Sequence, residues 1–289
     1  METFPSPDQL FGKDCATKEA PFRLTSPGRS GQSEAVNVVA IHYAPGQGEA
    51  LVPALAEATD KTLYEVRARL SSPEGGPAVV ANFGEIEPAW AFAGRLRANG
   101  IVPILLTPED VESDARRFLV RTFQLGDHGV TAVSRQGQTA EIPYREIDLL
   151  LRGVRIDERV ELKTTEQRKF SPGRALMTGG LVLSKTTKKL QQVMTEERDD
   201  FLHLYSEGRP PLVFRASAVT YQSLGPALQP SIAANFAYLV ETLRRASPNA
   251  TYDDRLTNRQ ARARVLGPSL SENVDVAVSL LARVLRSRR

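Results

Sequence analysis

The run Val36-Asn-Val-Val-Ala-Ile-His-Tyr43 opens the regular part of this 289-residue chain. Its apolar, β-branched residues followed by Pro45-Gly46 predict a strand and its turn. Working outward, Leu51, Leu55 and Ala58 fall at helical spacing after Gly48-Glu49, and Thr59-Asp60 stops that helix. Thr62 and Glu65 have the spacing of a capping box for a second helix, with Leu63, Val66 and Leu70 on one face, ended by Pro73 and Gly75-Gly76. A strand at Ala78–Phe83, a third helix from Ile86 to Ala98 closed by Asn99-Gly100, and a strand at Ile101–Leu106 complete the order β-α-α-β-α-β over residues 36–107. Trp90, near Phe92 and Leu96 on the third helix, is expected in a core or a domain interface.

That order, together with Ala58-Thr-Asp-Lys-Thr-Leu-Tyr-Glu-Val-Arg67 and Arg95-Leu-Arg-Ala-Asn-Gly-Ile-Val-Pro-Ile104, resembles the C-terminal domain of the ribosomal stalk protein and the related fold of the Clp-protease adaptor family. The resemblance implies a small α/β domain that binds other proteins. It does not carry over their binding activities. Where the adaptors have an Asn-Asp pair after the first strand this chain has Ala44-Pro45, and where the stalk has a lysine-rich helix face it has Arg67 and Arg69.

Residues 108–116 are charged and read as a connector into a β-rich region. Strands are expected at Phe118–Leu125, Val130–Val133, Ala140–Tyr144, Ile147–Ile156, Phe201–Tyr205 and Leu212–Phe214, with turns at Gly126–Gly129, Gln136-Gly137 and Ser206–Pro211. An amphipathic helix follows from Ser231 to Arg245, with Phe236, Leu239, Val240 and Leu243 as its stripe. The strand succession and the closing helix look like a bacterial pleckstrin-homology-type domain over residues 117–247, with an insertion at about 157–198. Lipid-binding members of that family use a basic loop between the first two strands; here the loop is Gly126-Asp-His-Gly129.

Residues 1–35, with Pro5, Pro7, Pro21 and Pro27 among polar residues, read as a flexible arm. Residues 251–289 hold a basic stretch, Arg255 to Arg264, and a final amphipathic helix capped by Ser271, with Val274, Ala277, Val278, Leu281, Val284 and Leu285 on one side. The expected fold class is therefore α+β: a small α/β domain, a β-rich domain with a closing helix, and a C-terminal amphipathic helix.

Composition narrows the function without naming it. The chain is 41% apolar and 25% charged with a net charge of +3, values of an ordinary globular protein. A single cysteine, Cys15, leaves no internal disulfide, and no apolar run is long enough for a signal peptide or membrane span, so a cytoplasmic location is expected.

The stretch from Lys169 to Lys189, KFSPGRALMTGGLVLSKTTKK, is the nearest approach to a phosphate loop, and it fails the pattern. From Gly173 the next glycine falls at Gly179, one place late; Leu181 rather than lysine follows Gly180, and Leu-Val-Leu-Ser favours a strand. The stretch reads instead as a basic hairpin arm. Lys163, Arg168, Lys169, Arg174, Lys185, Lys188 and Lys189 supply its positive surface, with Glu166 between them, and the bland alternative is a solvated strand pair. His42, His128 and His203 lack metal-ligand spacing, no G-x-S-x-G elbow occurs, and Asp199-Asp200, Asp253-Asp254 and Tyr252-Asp-Asp-Arg255 read as element junctions. No metal or cofactor is expected.

The leading expectation is a non-enzymatic adaptor or scaffold that binds proteins through two small domains. One alternative is a binder of nucleic acid or anionic membrane that uses the basic arm with Arg283, Arg286, Arg288 and Arg289. The other is an enzyme with dispersed site residues, which a pocket lined by one of the histidines and a carboxylate would favour.

Overall fold

A computed structural model describes residues 36–170 and 184–287, with side chains described for 36–156 and 196–287. The flexible arm expected over 1–35, with Cys15, and Arg174, Arg288 and Arg289 lie outside the described residues.

The fold is mixed α+β, with a three-stranded and a seven-stranded sheet. The first sheet holds β1 (Asn37–Tyr43), β2 (Gly76–Phe83) and β3 (Pro103–Leu106) in the order β2-β1-β3, with β1 antiparallel to both neighbours. Three helices connect them: α1 (Gly48–Thr59), α2 (Leu63–Arg69) and α3 (Ile86–Ala98). The local signals act as expected. Asp60 ends α1 in the left-handed conformation at φ 54°, and the Thr62 hydroxyl accepts from the Glu65 amide while the Glu65 carboxylate accepts from the Thr62 amide.

The larger sheet runs β10-β7-β8-β9-β4-β5-β6. Its strands are β4 (Phe118–Leu125), β5 (Gly129–Ser134), β6 (Thr139–Pro143), β7 (Ile147–Phe170), β8 (Ser184–Ser206), β9 (Leu212–Arg215) and β10 (Thr251–Leu256). The β10/β7 and β4/β9 pairs are parallel, the rest antiparallel. Helix α4 (Ile232–Ala246), capped by Ser231, closes one face: Phe236, Leu239, Val240 and Leu243 are buried with Phe123, Leu202, Leu204 and Phe214.

The C-terminal segment forms α5 (Arg259–Leu266) and α6 (Val274–Arg286). Alternation along β1 shows where α6 goes. Val39, Ile41 and Tyr43 pack with α1–α3, whereas Val38 and Ala40 turn the other way into a core shared with α6 and with Leu149, Leu151 and Phe201 of the large sheet. Helix α6 is thus a filling between two sheets, and Val276, Leu280 and Ala282 are buried along with Val274, Ala277, Val278, Leu281 and Val284 of the expected stripe, whose Leu285 is partly buried. The helix keeps the one-sided amphipathic pattern expected of it, but its buried face is wide: only the side with Asp275, Arg283 and Arg286 reaches solvent. Its cap is Asn273 rather than Ser271, because Pro268–Leu270 first makes a tight 3₁₀ turn.

Two further expectations change. Trp90 is 54% exposed, since Ala89, Phe92, Ala93 and Leu96 form the buried face of α3 and position 90 falls beside it. Leu63 is 50% exposed, because it opens α2 while Val66 and Leu70 reach the core.

Candidate functional site

The feature that distinguishes this fold is the length of β7 and β8. In the sheet, β7 is flanked by β10 over residues 149–153 and β8 by β9 over residues 201–204. Beyond that, from Asp157↔Glu197 to Phe170↔Ser184, fourteen consecutive residue pairs join only these two strands among the described residues. At about 3.3 Å per residue the ribbon runs roughly 45 Å past the sheet.

Register sorts the charged residues by face. Directly paired residues share a face and alternate residues along a strand return to it. Pairs Lys163↔Gln191, Thr165↔Lys189, Gln167↔Thr187 and Lys169↔Lys185 therefore place Lys163, Lys169, Lys185 and Lys189 on one face with no acidic residue among those pairs. The pairs between them, Thr164↔Leu190, Glu166↔Lys188, Arg168↔Thr186 and Phe170↔Ser184, hold Arg168, Lys188 and Glu166 on the other face. Nearer the sheet the composition reverses: Asp157, Glu158, Glu161, Glu196 and Glu197 outnumber Arg159 and Arg198. The ribbon is acidic at its base and basic further out.

A second charged assembly lies where the connector meets α6 and the large sheet. The Arg117 side chain is 1% exposed; it donates to Asp275 at 2.6 Å and to Asp114 at 3.4 Å, and lies 3.5 Å from Glu112. Asp275, in the first turn of α6, also accepts from Arg155 at 3.0 Å, and Asp114 accepts from Arg215 at 2.7 Å. Burial pushes the Asp114 carboxyl up, but Arg215 and Arg117 outweigh it and hold the group below its ordinary range. The Tyr205 hydroxyl donates to Glu112 at 2.9 Å, and His203 Nδ1 lies 3.4 Å from that hydroxyl. Burial, reinforced by Arg117, Arg215 and Arg155, holds His203 well below its ordinary pKa. Burial and the Glu112 carboxylate hold Tyr205 well above its own. At neutral pH His203 is uncharged and Tyr205 protonated, so the cluster ties the connector to α6 and β8 with every charge matched. Nothing in local spacing announced it, because Glu112, Arg117, Arg155, His203 and Asp275 come from four separate elements.

The remaining candidates resolve individually. His128 lines a cleft of about 560 Å³ with Asp127, Glu141, Tyr144 and Arg145, which is the pairing of histidine and carboxylate that the enzymatic alternative asked for. Its side chain has no hydrogen bond to a nucleophile among the described residues, and Tyr144 donates its hydroxyl to the Gly126 carbonyl. His42 is half-buried on β1. Among the described residues no group of three His, Cys, Asp or Glu side chains could hold a metal ion. Asp199 accepts from the Ser217 amide and hydroxyl and Asp200 pairs with Arg152, so these two acids fasten elements together, whereas Asp253 pairs with Arg255 at 2.6 Å within β10 itself.

The terminal arginines are a correction to the anion-binding alternative. Arg283 donates to Asp110 and the Leu105 carbonyl, and Arg286 donates to Asp148 and the Ser206 carbonyl while stacking 5.5 Å from the Tyr205 ring. They dock α6 because that helix is interior, and its last turn must satisfy its cations against neighbouring strands. The ribbon cations Lys163, Arg168, Lys169, Lys185, Lys188 and Lys189 are brought together by pairing. No helix among the described residues is long and apolar enough to cross a membrane. Comparison with protein-family models, curated proteins and solved structures finds no match for this chain.

Proposed function

We propose that this is a non-enzymatic binding protein whose basic ribbon lies along a nucleic acid. The observation that carries the reading is the outer part of one register-defined face, where the four pairs from Lys163↔Gln191 to Lys169↔Lys185 hold Lys163, Lys169, Lys185 and Lys189 and no acid. Lys163 and Lys169 are six residues apart on one strand, so the cations are spread over roughly 20 Å of ribbon. A lengthwise row suits a linear polyanion running beside the ribbon, and a two-stranded ribbon is narrow enough to enter a major groove. The acidic base of the ribbon then repels phosphates from the sheet and restricts contact to the outer half.

Four lysine–phosphate contacts imply a slope of log K against log salt of about −3.6, and losing them costs roughly three orders of magnitude in affinity near 0.1 M salt. The test measures duplex DNA and RNA binding by anisotropy across a salt series. Wild-type protein is expected to bind with that slope, and a variant with all four lysines changed to glutamate to lose it, while Arg168→Glu with Lys188→Glu on the other face loses less. Absence of binding at low salt, or binding confined to anionic vesicles, overturns the reading.

A second reading, a protein adaptor, draws on the exposed Tyr64, Trp90 and Val102 of the small α/β portion, which are 79%, 54% and 81% exposed. Affinity purification of the full chain at moderate salt with nuclease treatment separates the two: a nuclease-resistant protein partner lost on Tyr64→Ala with Trp90→Ala favours the adaptor.

A further inference from the structure

Between α1–α2 and α5 lies a groove of about 570 Å³, within the size range of small-molecule sites. Its walls are Leu55, Val66, Ala68, Val80, Ala263 and Pro268, and its polar lining includes Lys61, Glu65, Arg69 and Arg264.

The charges in this groove do not balance. Arg69 spends its guanidinium on carbonyls: Nε donates to Val79 at 2.6 Å, Nη1 to Ala263 and Arg264 at 3.2 and 2.5 Å, and Nη2 to Val265 at 2.6 Å. It thereby adds donors to the last carbonyls of α5, of which Ala263 also accepts from the Gly267 amide, and ties that helix to β2. Among the described residues no carboxylate forms a salt bridge with it, and burial brings its pKa down to about 10. Lys61 and Arg264 likewise have no salt-bridge partner among the described residues. The one acid, Glu65, is turned back onto Thr62 in the capping box at 2.7 Å and 2.9 Å. Three cations thus face a mainly apolar groove with a single, already engaged carboxylate.

The ligand class follows from what would complete this arrangement. Lys61 and Arg264, both exposed at the groove, offer an anion two cations without acid partners among the described residues, and Leu55, Val66 and Val80 offer an apolar wall for the rest of the ligand. The C-terminal end of α5 also lies here, and its partial negative charge disfavours a doubly charged group such as a phosphate monoester. A monoanion fits better. We propose that the groove between α2 and α5 binds a small apolar carboxylate, with the acid group between Lys61 and Arg264 and the hydrocarbon against Leu55, Val66 and Val80. This site is separate from the ribbon, and neither proposal depends on the other.

The experiment is isothermal titration of the full chain with octanoate, octanol and octyl phosphate. Saturable octanoate binding is expected, at least about tenfold tighter than octanol or octyl phosphate. Lys61→Glu with Arg264→Glu is expected to weaken it at least about tenfold, and Ala68→Trp, which fills the groove from the α2 side, to abolish it. Arg69 is left in place because it holds α5. The four-lysine ribbon variant should bind octanoate as the wild type does. The proposal is overturned by octanol binding as tightly as octanoate, by the absence of saturation up to about 5 mM octanoate, or by wild-type affinity in both groove variants with their folds verified by circular dichroism.

Discussion

If α6 is the filling shared by both sheets, shortening one of its side chains should weaken the two sheets together. Leu281 is fully buried in the core that joins Val38, Ala40 and Leu106 of the small sheet to Leu149, Leu151 and Phe201 of the large one. Leu281→Ala removes three carbons, about 2.4 kcal/mol of transfer free energy at about 0.8 kcal/mol each. A residual void of about 45 Å³ adds about 1 kcal/mol, for a loss of roughly 3.5 kcal/mol. With a urea m-value of about 3 kcal/mol/M, the midpoint should fall by about 1 M. Trp90, the chain's single tryptophan, sits on α3 over the small sheet and reports that side by fluorescence. Hydrogen exchange of β8 and β9, around Leu202, Leu204 and Val213, reports the other. Both probes are expected to shift equally and to coincide before and after the substitution. Two separated transitions, with only one moved by Leu281→Ala, would refute the shared core.

Two smaller perturbations follow from the same contacts. His203 is buried and neutral with its pKa held below the ordinary 6.5, so the unfolded chain takes up a proton that the native state refuses as pH falls past 6.5. Stability is therefore present above that pH and lost below it, at up to about 1.4 kcal/mol per pH unit. His203→Phe, which keeps a ring beside Phe201 and Tyr205, should flatten the slope between about pH 6.5 and 5 in denaturation midpoints; an unchanged slope assigns it to another group. Gly75 and Gly46 both have positive φ, 74° and 78°, but a Cβ on Gly75 would sit 2.5 Å from the Tyr43 carbonyl oxygen while Gly46 has open space. Gly46→Ala should cost about 1 kcal/mol from backbone strain, and Gly75→Ala clearly more because the obstacle is backbone; equal costs by thermal melting would count against the clash.

The small α/β portion was readable residue by residue because its signals are local. Thr62 and Glu65 make their capping box within one turn and Asn99-Gly100 ends α3; on the large sheet, the buried stripe of α4 likewise follows from its own spacing. Trp90 and Ser271 misled for the complementary reason: a large aromatic does not say which side of its helix meets the core, and a good capping residue does not say that a 3₁₀ turn comes first. The basic residues of the ribbon were legible as a cluster, but their division into a lysine face and a mixed face was not. That division depends on which residue of β7 stands opposite which residue of β8, and a one-residue slip would exchange the faces.

The cluster of Arg117, Glu112, His203 and Asp275, and the groove around Arg69, had no sequence signature. Arg69 and Ala263 are 194 positions apart, and a guanidinium that donates to carbonyls leaves no complementary acid to find in the chain. Sequence by itself determined the mixed α+β class and the element types and order as far as α4, because caps, turns and hydrophobic period act over a few neighbouring residues. Strand β10 and helix α5, in a stretch read as a junction and a basic run, were not foreseen. Only tertiary structure decided that the last helix lies between the two sheets, and that Arg283 and Arg286 serve its docking while the ribbon lysines share a face. Those outcomes depend on which distant surfaces are brought within a few ångströms, and burial converts the same residue types from solvated charges into fasteners.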